Sequence, residues 1–240
     1  MRFSVSASTD VGLKRAANED FYALEEKLGL FVVADGLGGH VAGRRASELG
    51  VATFVATVGE DPAGHAPAVL RRAFARAGEA ILEAARVDVS LRGMGTTLAA
   101  LWLRGDEAWL AHAGDSRLYL LREHRLHALT LDHSVVGERV ARGELSPEQA
   151  RIHPGRHVIT RAVGVLAGIE PDVSALRARP DDLFVLCSDG ISSQLNDDEI
   201  QHRIEKRPAS LATAATDLIA QANARGGDDN ATVILVHLSP

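Results

Sequence analysis

Two short runs, Leu30-Phe31-Val32-Val33-Ala34 and Leu183-Phe184-Val185-Leu186-Cys187, are apolar at every position, and each leads into an Asp-Gly pair, Asp35-Gly36 and Asp189-Gly190. A run of this length without polar alternation reads as a buried strand. A carboxylate at the mouth of a buried strand is costly unless something compensates it. The same relation recurs at Asp115, which follows "WLAHAG", and at Asp228-Asp229, which precede "ATVILV". Arg117 is the one arginine next to any of these sites, so salt bridges are an incomplete answer. Several carboxylates with little compensating base suit hard, oxygen-seeking cations. The glycines let the chain turn sharply and bring a carbonyl toward an ion. Asp-Gly by itself is also a turn signal. Four acidic sites in the same relation to apolar strands ask for more than turns.

The rest of the chain surrounds these strands with a mixed pattern. Residues 3–7 and 21–24 read as strands. A helix is expected from Gly43 to about Val58, and Val69, Leu70, Ala73, Phe74, Ala77, Ile81 and Leu82 trace a helical stripe. From Thr96 to Leu129 the sequence predicts a β-meander, with "RGD", "GDS" and "EH" as turns between antiparallel neighbours. Residues 132–164 are polar with short helical pieces, and Ser146-Pro147-Glu148-Gln149 reads as a capped helix start. A further helix is expected over Leu211–Ala222 and a final strand over 231–238. Helices separated by several strands disfavour a parallel βαβ sheet and favour layered α+β. No repeat or linker divides the chain, so a single domain over 1–240 is expected, with an insertion at about 132–157.

Charge and motif content narrow the function. Net charge is −6, from 26 basic and 32 acidic residues, which argues against nucleic acid or an anionic membrane as main partner. No apolar run approaches a membrane span, the N-terminus has no apolar signal region, and Cys187 is the single cysteine, so a cytoplasmic setting is expected. The loop Gly36-Leu37-Gly38-Gly39-His40-Val41 puts valine where a dinucleotide fingerprint needs its third glycine. P-loop, zincin, zinc-ribbon and nucleophile-elbow signatures are absent.

Eight short motifs occur in order: "RAANED" (15–20), "ADGLGGH" (34–40), "GMGTTL" (93–98), "GDSR" (114–117), "DHS" (132–134), "HPGRHVITRAVG" (153–164), "SDG" (188–190) and "GGDDNATV" (226–233). Together they span nearly the whole chain, and it resembles the bacterial metal-dependent Ser/Thr protein phosphatases of the PPM, or protein phosphatase 2C, family. The resemblance implies a β-sandwich of two antiparallel sheets flanked by helices, in α-β-β-α layers, with a metal site at one end. It implies Mn²⁺ or Mg²⁺, two ions in a core site and a third near Asp115. Asp35 would bridge the two core ions and the Gly36 carbonyl would ligate one. Asp189 and Asp229 would complete the site on the other ion, and Asp115 with Asp189 would hold the third. Glu19 and Asp20 would hold metal-bound waters, Arg15 would bind the substrate phosphate, and residues 132–157 would form a flap beside the site.

The implied chemistry is hydrolysis of phosphoserine and phosphothreonine in proteins by a metal-activated water, with no phospho-enzyme. Arg15 suits bidentate grip of phosphate oxygens. His40 or a metal-bound water would protonate the leaving alkoxide, and His40 has capping of the following helix as its alternative. His112 and His133 read as structural, and Cys187 and Met94 as packing residues. Leu37 stands where the family usually has Met, and Arg44 where bacterial members often have Glu. Partners implied are phosphoproteins and a cognate Ser/Thr kinase, for a monomer that binds neither nucleic acid nor membrane. The rival readings are a catalytically silent phosphoprotein-binding module and a metal-dependent hydrolase of small phosphate esters.

Overall fold

Strands without a polar face need cover on both sides, and the chain supplies it by stacking two sheets face to face and packing helices on the outside. The computed structural model describes residues 2–39, 41–205 and 210–239. In chain order the elements are β1 (Arg2–Asp10), β2 (Asp20–Glu25), β3 (Leu30–Leu37), α1 (Val41–Glu60), α2 (Ala66–Val87), β4 (Gly95–Thr96), β5 (Leu98–Arg104), β6 (Glu107–Ala113), β7 (Arg117–Arg122), β8 (Arg125–Ala128), α3 (Val135–Ala141), α4 (Pro147–Ile152), β9 (Asp172–Arg177), β10 (Leu183–Cys187), α5 (Asp189–Ser192), α6 (Asp197–Glu205), α7 (Leu211–Ala224) and β11 (Ala231–Ser239). One sheet runs β1-β11-β10-β7-β8 and the other β2-β3-β5-β6-β9, with β4 added to β3. The paired strands are antiparallel throughout.

The two apolar runs explain the layering. On β3, Leu30, Val32 and Ala34 pack under α1 and α2, while Phe31 and Val33 point between the sheets. On β10, Leu183, Val185 and Cys187 pack under the helices of the other side, while Phe184 and Leu186 meet Phe31's layer. Each residue is therefore buried whichever way it points, and each large one contributes about 1.5–3 kcal/mol of apolar burial. α1 and α2 are clamped by the edge-to-face pair Phe54–Phe74, with ring centroids 5.2 Å apart. Met94 is fully buried in that outer layer, as expected of a packing residue. The helix start at Ser146 closes a reciprocal capping box with Gln149.

The expected meander is divided between the sheets. β5 and β6 pair, and β7 and β8 pair, but β6 and β7 do not. "GDS" is a crossing between layers rather than a hairpin turn. Gly114 has φ +113, and a Cβ there would lie 2.6 Å from the Thr97 side chain, so the chain passes from one sheet to the other where only glycine fits. Three elements lie outside the expectations, of which α5 is a single turn directly after β10. β9 is a mostly exposed edge strand whose two partly buried apolar residues, Val173 and Leu176, pack into different layers. α6 buries only Ile200 and Ile204, although Asn196 and Glu199 form a capping pair that marks its start. Among the described residues no helix is long and apolar enough to cross a membrane.

Candidate metal centre

The acidic residues meet at one end of the sandwich, where β2 and β3 of one sheet face the end of β10 and the start of β11 in the other. Asp20 and Asp35 are direct partners across β2 and β3. Like charges opposite each other in a sheet repel, so this register needs a counter-charge or a proton. The Asp35 backbone is held on all sides: its N–H donates to Thr97 Oγ1 at 2.9 Å, and its carbonyl accepts from Thr97 N and Thr96 Oγ1, each at 2.8 Å. The side chain stands among the other acids of the cluster, where the charges of Asp20 and Asp189 act on it.

Close backbone approach builds the floor of the site. A Cβ on Gly36 would lie 2.1 Å from the Gly43 carbonyl oxygen and 2.7 Å from that of Glu19. Gly36→Ala is expected to destabilise the fold by about 2–3 kcal/mol, because backbone rather than a flexible side chain must yield. In a thermal melt in EDTA this is a fall of about 5–10 °C; an unchanged melt would show that the strand can shift. Gly43 is similarly constrained, since a Cβ there would meet the Glu19 carboxylate.

Hydrogen bonds from the polar neighbours of the acids hold them in place. Asp20 Oδ2 accepts from Ser188 Oγ and Thr232 Oγ1, both at 2.7 Å. Asn230 is a hub: its Oδ1 accepts from Glu19 N at 2.8 Å, and its Nδ2 donates to the carbonyls of Val11 and Ala17 at 2.9 Å. Asn230 N–H also donates to Asp229 Oδ1 at 2.8 Å. Arg15 donates to Asp229 Oδ2 at 2.6 Å. Asn230, Ser188 and Thr97 were legible only as members of the "GGDDNATV", "SDG" and "GMGTTL" motifs.

The electrostatics describe a cluster short of positive charge. Burial first, then the charges of Asp20, Asp189 and Asp115, raise the Asp35 carboxyl well above its usual range. Burial and the charges of Asp189 and Asp229 push Asp20 up to about 7, against its two hydroxyl hydrogen bonds. Asp115 rises to about 8 through burial and the charges of Asp189 and Asp132, and Asp189 to about 6 through burial and Asp229. The buried oxygens Oδ1 of Asp20, Asp115 and Asp189 have no hydrogen-bond partner. Unsatisfied carboxylate oxygens from both sheets and an all-oxygen donor set fit a hard divalent cation.

Other expected residues resolve as follows. His40 lies outside the described residues. Arg117 does not neutralise Asp115 but forks onto Asp132, with both contacts at 2.7 Å. Arg44 pairs with Glu48 along α1 at 2.9 Å. Cys187 is fully buried, and burial pushes its thiol up to about 12, which makes it an inert packing residue. His112 and His133 stack at 4.4 Å with rings 16° from parallel, and with Asp172 they place potential ligand atoms within 4.8 Å of one another. An ion bound by two imidazoles lies near both ring planes, and stacked, nearly parallel planes do not meet beside the rings. The pair is therefore a stacked contact and not a chelate, in keeping with structural histidines.

Residues 14–226 match the family model of protein phosphatase 2C. The chain belongs to this family. Its 2C-type relatives include the serine/threonine protein phosphatase PstP of Mycobacterium tuberculosis, 38% identical over 96% of this chain and 44% of that protein. The chain thus spans less than half the length of PstP. Protein phosphatase PhpP of Streptococcus pneumoniae is 38% identical over 98% of this chain and 97% of its own length. Among solved structures, the PstP catalytic domain in complex with two manganese ions superposes with a TM-score of 0.90, at 35% identity and 99% coverage of both chains. The phosphatase 2C sandwich of two antiparallel sheets between helices is the fold that the sequence resemblance implied.

Proposed function

We propose that this chain is a metal-dependent protein phosphatase that hydrolyses phosphoserine and phosphothreonine, with Mn²⁺ or Mg²⁺ held where the acidic strand ends converge. The observation that carries the reading is the set of buried, unpartnered oxygens on Asp20, Asp115 and Asp189, contributed by three separate segments. Asp35 and the Gly36 carbonyl would hold the core ions together with Asp189 and Asp229, and Asp115 with Asp189 a third ion. Such ions supply a nucleophile from water at neutral pH and neutralise charge that builds on the phosphate.

The protein's own groups do the rest. Glu19 and Asp20 orient water from the β2 side of the site. Arg15 is half exposed beside Asp229, and burial opposes its charge while Asp229, Glu19 and Asp35 together hold its pKa above the usual value. It stays a cation and can exchange Asp229 for phosphate oxygens when the carboxylate turns to an ion. His40 remains the proposed proton donor to the leaving alkoxide. The chain acts as one catalytic domain in which residues 132–157, carrying α3 and α4, form a flap. A cleft of about 620 Å³ between this segment and the core reaches Asp115 and Asp189 and suits a peptide beside its phosphorylated residue. The reading extends to a cytoplasmic monomer that opposes a Ser/Thr kinase.

The test is hydrolysis of p-nitrophenyl phosphate and of a phosphothreonine peptide with Mn²⁺ and with EDTA. Turnover of both with Mn²⁺ and neither with EDTA is expected, and metal-independent turnover would overturn the reading. Replacing α3 and α4 by a short glycine linker should slow the peptide more than the small ester; equal slowing would remove the flap from substrate choice.

A further inference from the structure

Asp115 ends the crossing between the sheets, and its Oδ1 is buried without a hydrogen-bond partner. Its aim comes from the backbone on either side, and both sides are held by one dipeptide, Asp132-His133. On the N-terminal side, Gly114 N–H donates to His133 Nδ1 at 3.2 Å, and the Gly114 carbonyl accepts from His133 N–H at 2.9 Å. A backbone N–H can only donate, so His133 Nδ1 is an acceptor and its proton sits on Nε2, which lies 3.3 Å from Asp172 Oδ2. The stacked His112 donates from Nε2 to the Leu131 carbonyl at 3.0 Å and fixes the start of the same segment. On the C-terminal side, Arg117 grips both oxygens of Asp132 and also donates to Tyr119 Oη at 3.0 Å.

The far side of this segment belongs to the flap. The His133 carbonyl accepts from Thr160 N–H at 2.8 Å, and Ser134 caps α3 through Gly137 N–H at 3.1 Å. Residues 132–134 thus join the carboxylate-bearing crossing to both roots of the flap.

We propose that Asp132 and His133 are positioning residues for a cation at Asp115, acting through the Arg117 fork and the Gly114 N–H, so that the flap and this cation are held by one latch. The inference rests on the assignment of Asp115 as a metal ligand. Partners that orient a ligand without touching the ion typically change metal affinity by about 10–100-fold.

The experiment is calorimetric Mn²⁺ titration of the full chain and its variants, with no substrate present. Asp115→Asn identifies the equivalent that belongs to Asp115. His133→Leu and Arg117→Lys are expected to weaken that equivalent about tenfold or more and leave the others within about twofold. His133→Asn, whose amide oxygen can accept the Gly114 N–H, should recover most of the loss. Parent-like affinity for that equivalent in His133→Leu and Arg117→Lys would overturn the proposal. So would an equal loss of every equivalent, which would make the latch a fold element only. If Asp115→Asn loses no equivalent, the assignment of Asp115 falls, and the proposal with it.

Discussion

Asp35→Asn is expected to lower kcat/KM by at least about 10³ with Mn²⁺ present and, in the same protein, to raise the melting temperature measured in EDTA. The two effects have one cause. Asp35 is half-buried opposite Asp20, in a place where burial and four neighbouring carboxylates, Asp20, Asp189, Asp115 and Asp229, disfavour its charge. An amide of nearly the same shape removes that penalty from the metal-free fold. It also removes the anionic oxygens that two sheets bring together for cations, and a thousandfold loss corresponds to about 4 kcal/mol of transition-state stabilisation. Steady-state kinetics in Mn²⁺ and thermal melts in EDTA read the two halves separately. Undiminished turnover would refute the assignment of Asp35 to the metal centre. A lower melting temperature in EDTA would show that Asp35 contributes to the fold instead of burdening it.

Metal-free protein is expected to lose stability as pH rises from about 4 to about 8. The carboxyls of Asp189, Asp20 and Asp115 are raised to about 6, about 7 and about 8, against 3.8 for an unperturbed aspartate. Between those limits the folded state keeps protons that the unfolded chain has released. Stability is therefore greatest below the unfolded value and falls as each folded value is passed. The groups share a cavity and their shifts do not add, yet a fall of at least about 10 °C across the window is expected. A bound cation replaces those protons, so the gain in melting temperature from Mn²⁺ should be much larger at pH 8 than at pH 5. Melts across this range with EDTA and with Mn²⁺ check both statements. A flat or rising curve in EDTA would mean that the carboxylates are compensated by the protein itself.

Much of this centre was legible in the residues. The apolar runs ending in Asp35 and Asp189 announced strands that had to be covered on both faces, and β3 and β10 are covered by a sheet on one side and helices on the other. The carboxylates of the ordered motifs do gather at one end of the sandwich. The failures share a different character. α6 carries too few apolar residues for periodicity to register, and in β9 Val173 and Leu176 fall on opposite faces, which breaks the alternation. The crossing at Gly114-Asp115-Ser116 looks like a hairpin turn in sequence because the clash that forbids an ordinary turn comes from Thr97 on another strand. Arg15 and Arg117 were visible as cations near acids, but their partners, Asp229 and Asp132, lie 214 and 15 residues away.

The sequence by itself determined most of the strands, the main helices, the family and the cast of acidic residues, because apolar periodicity and turn chemistry are properties of neighbouring residues. Only the tertiary structure decided which acids share a cavity and which atoms they leave unsatisfied. Asp20 takes its hydrogen bonds from Ser188 and Thr232, 168 and 212 residues away, and Asp115 is aimed by His133 and Arg117 from opposite sides of a sheet crossing. Such contacts are set by strand order and register across two sheets. Burial at those contacts, which removes a carboxylate from bulk solvent, is what turns a list of aspartates into a place for cations.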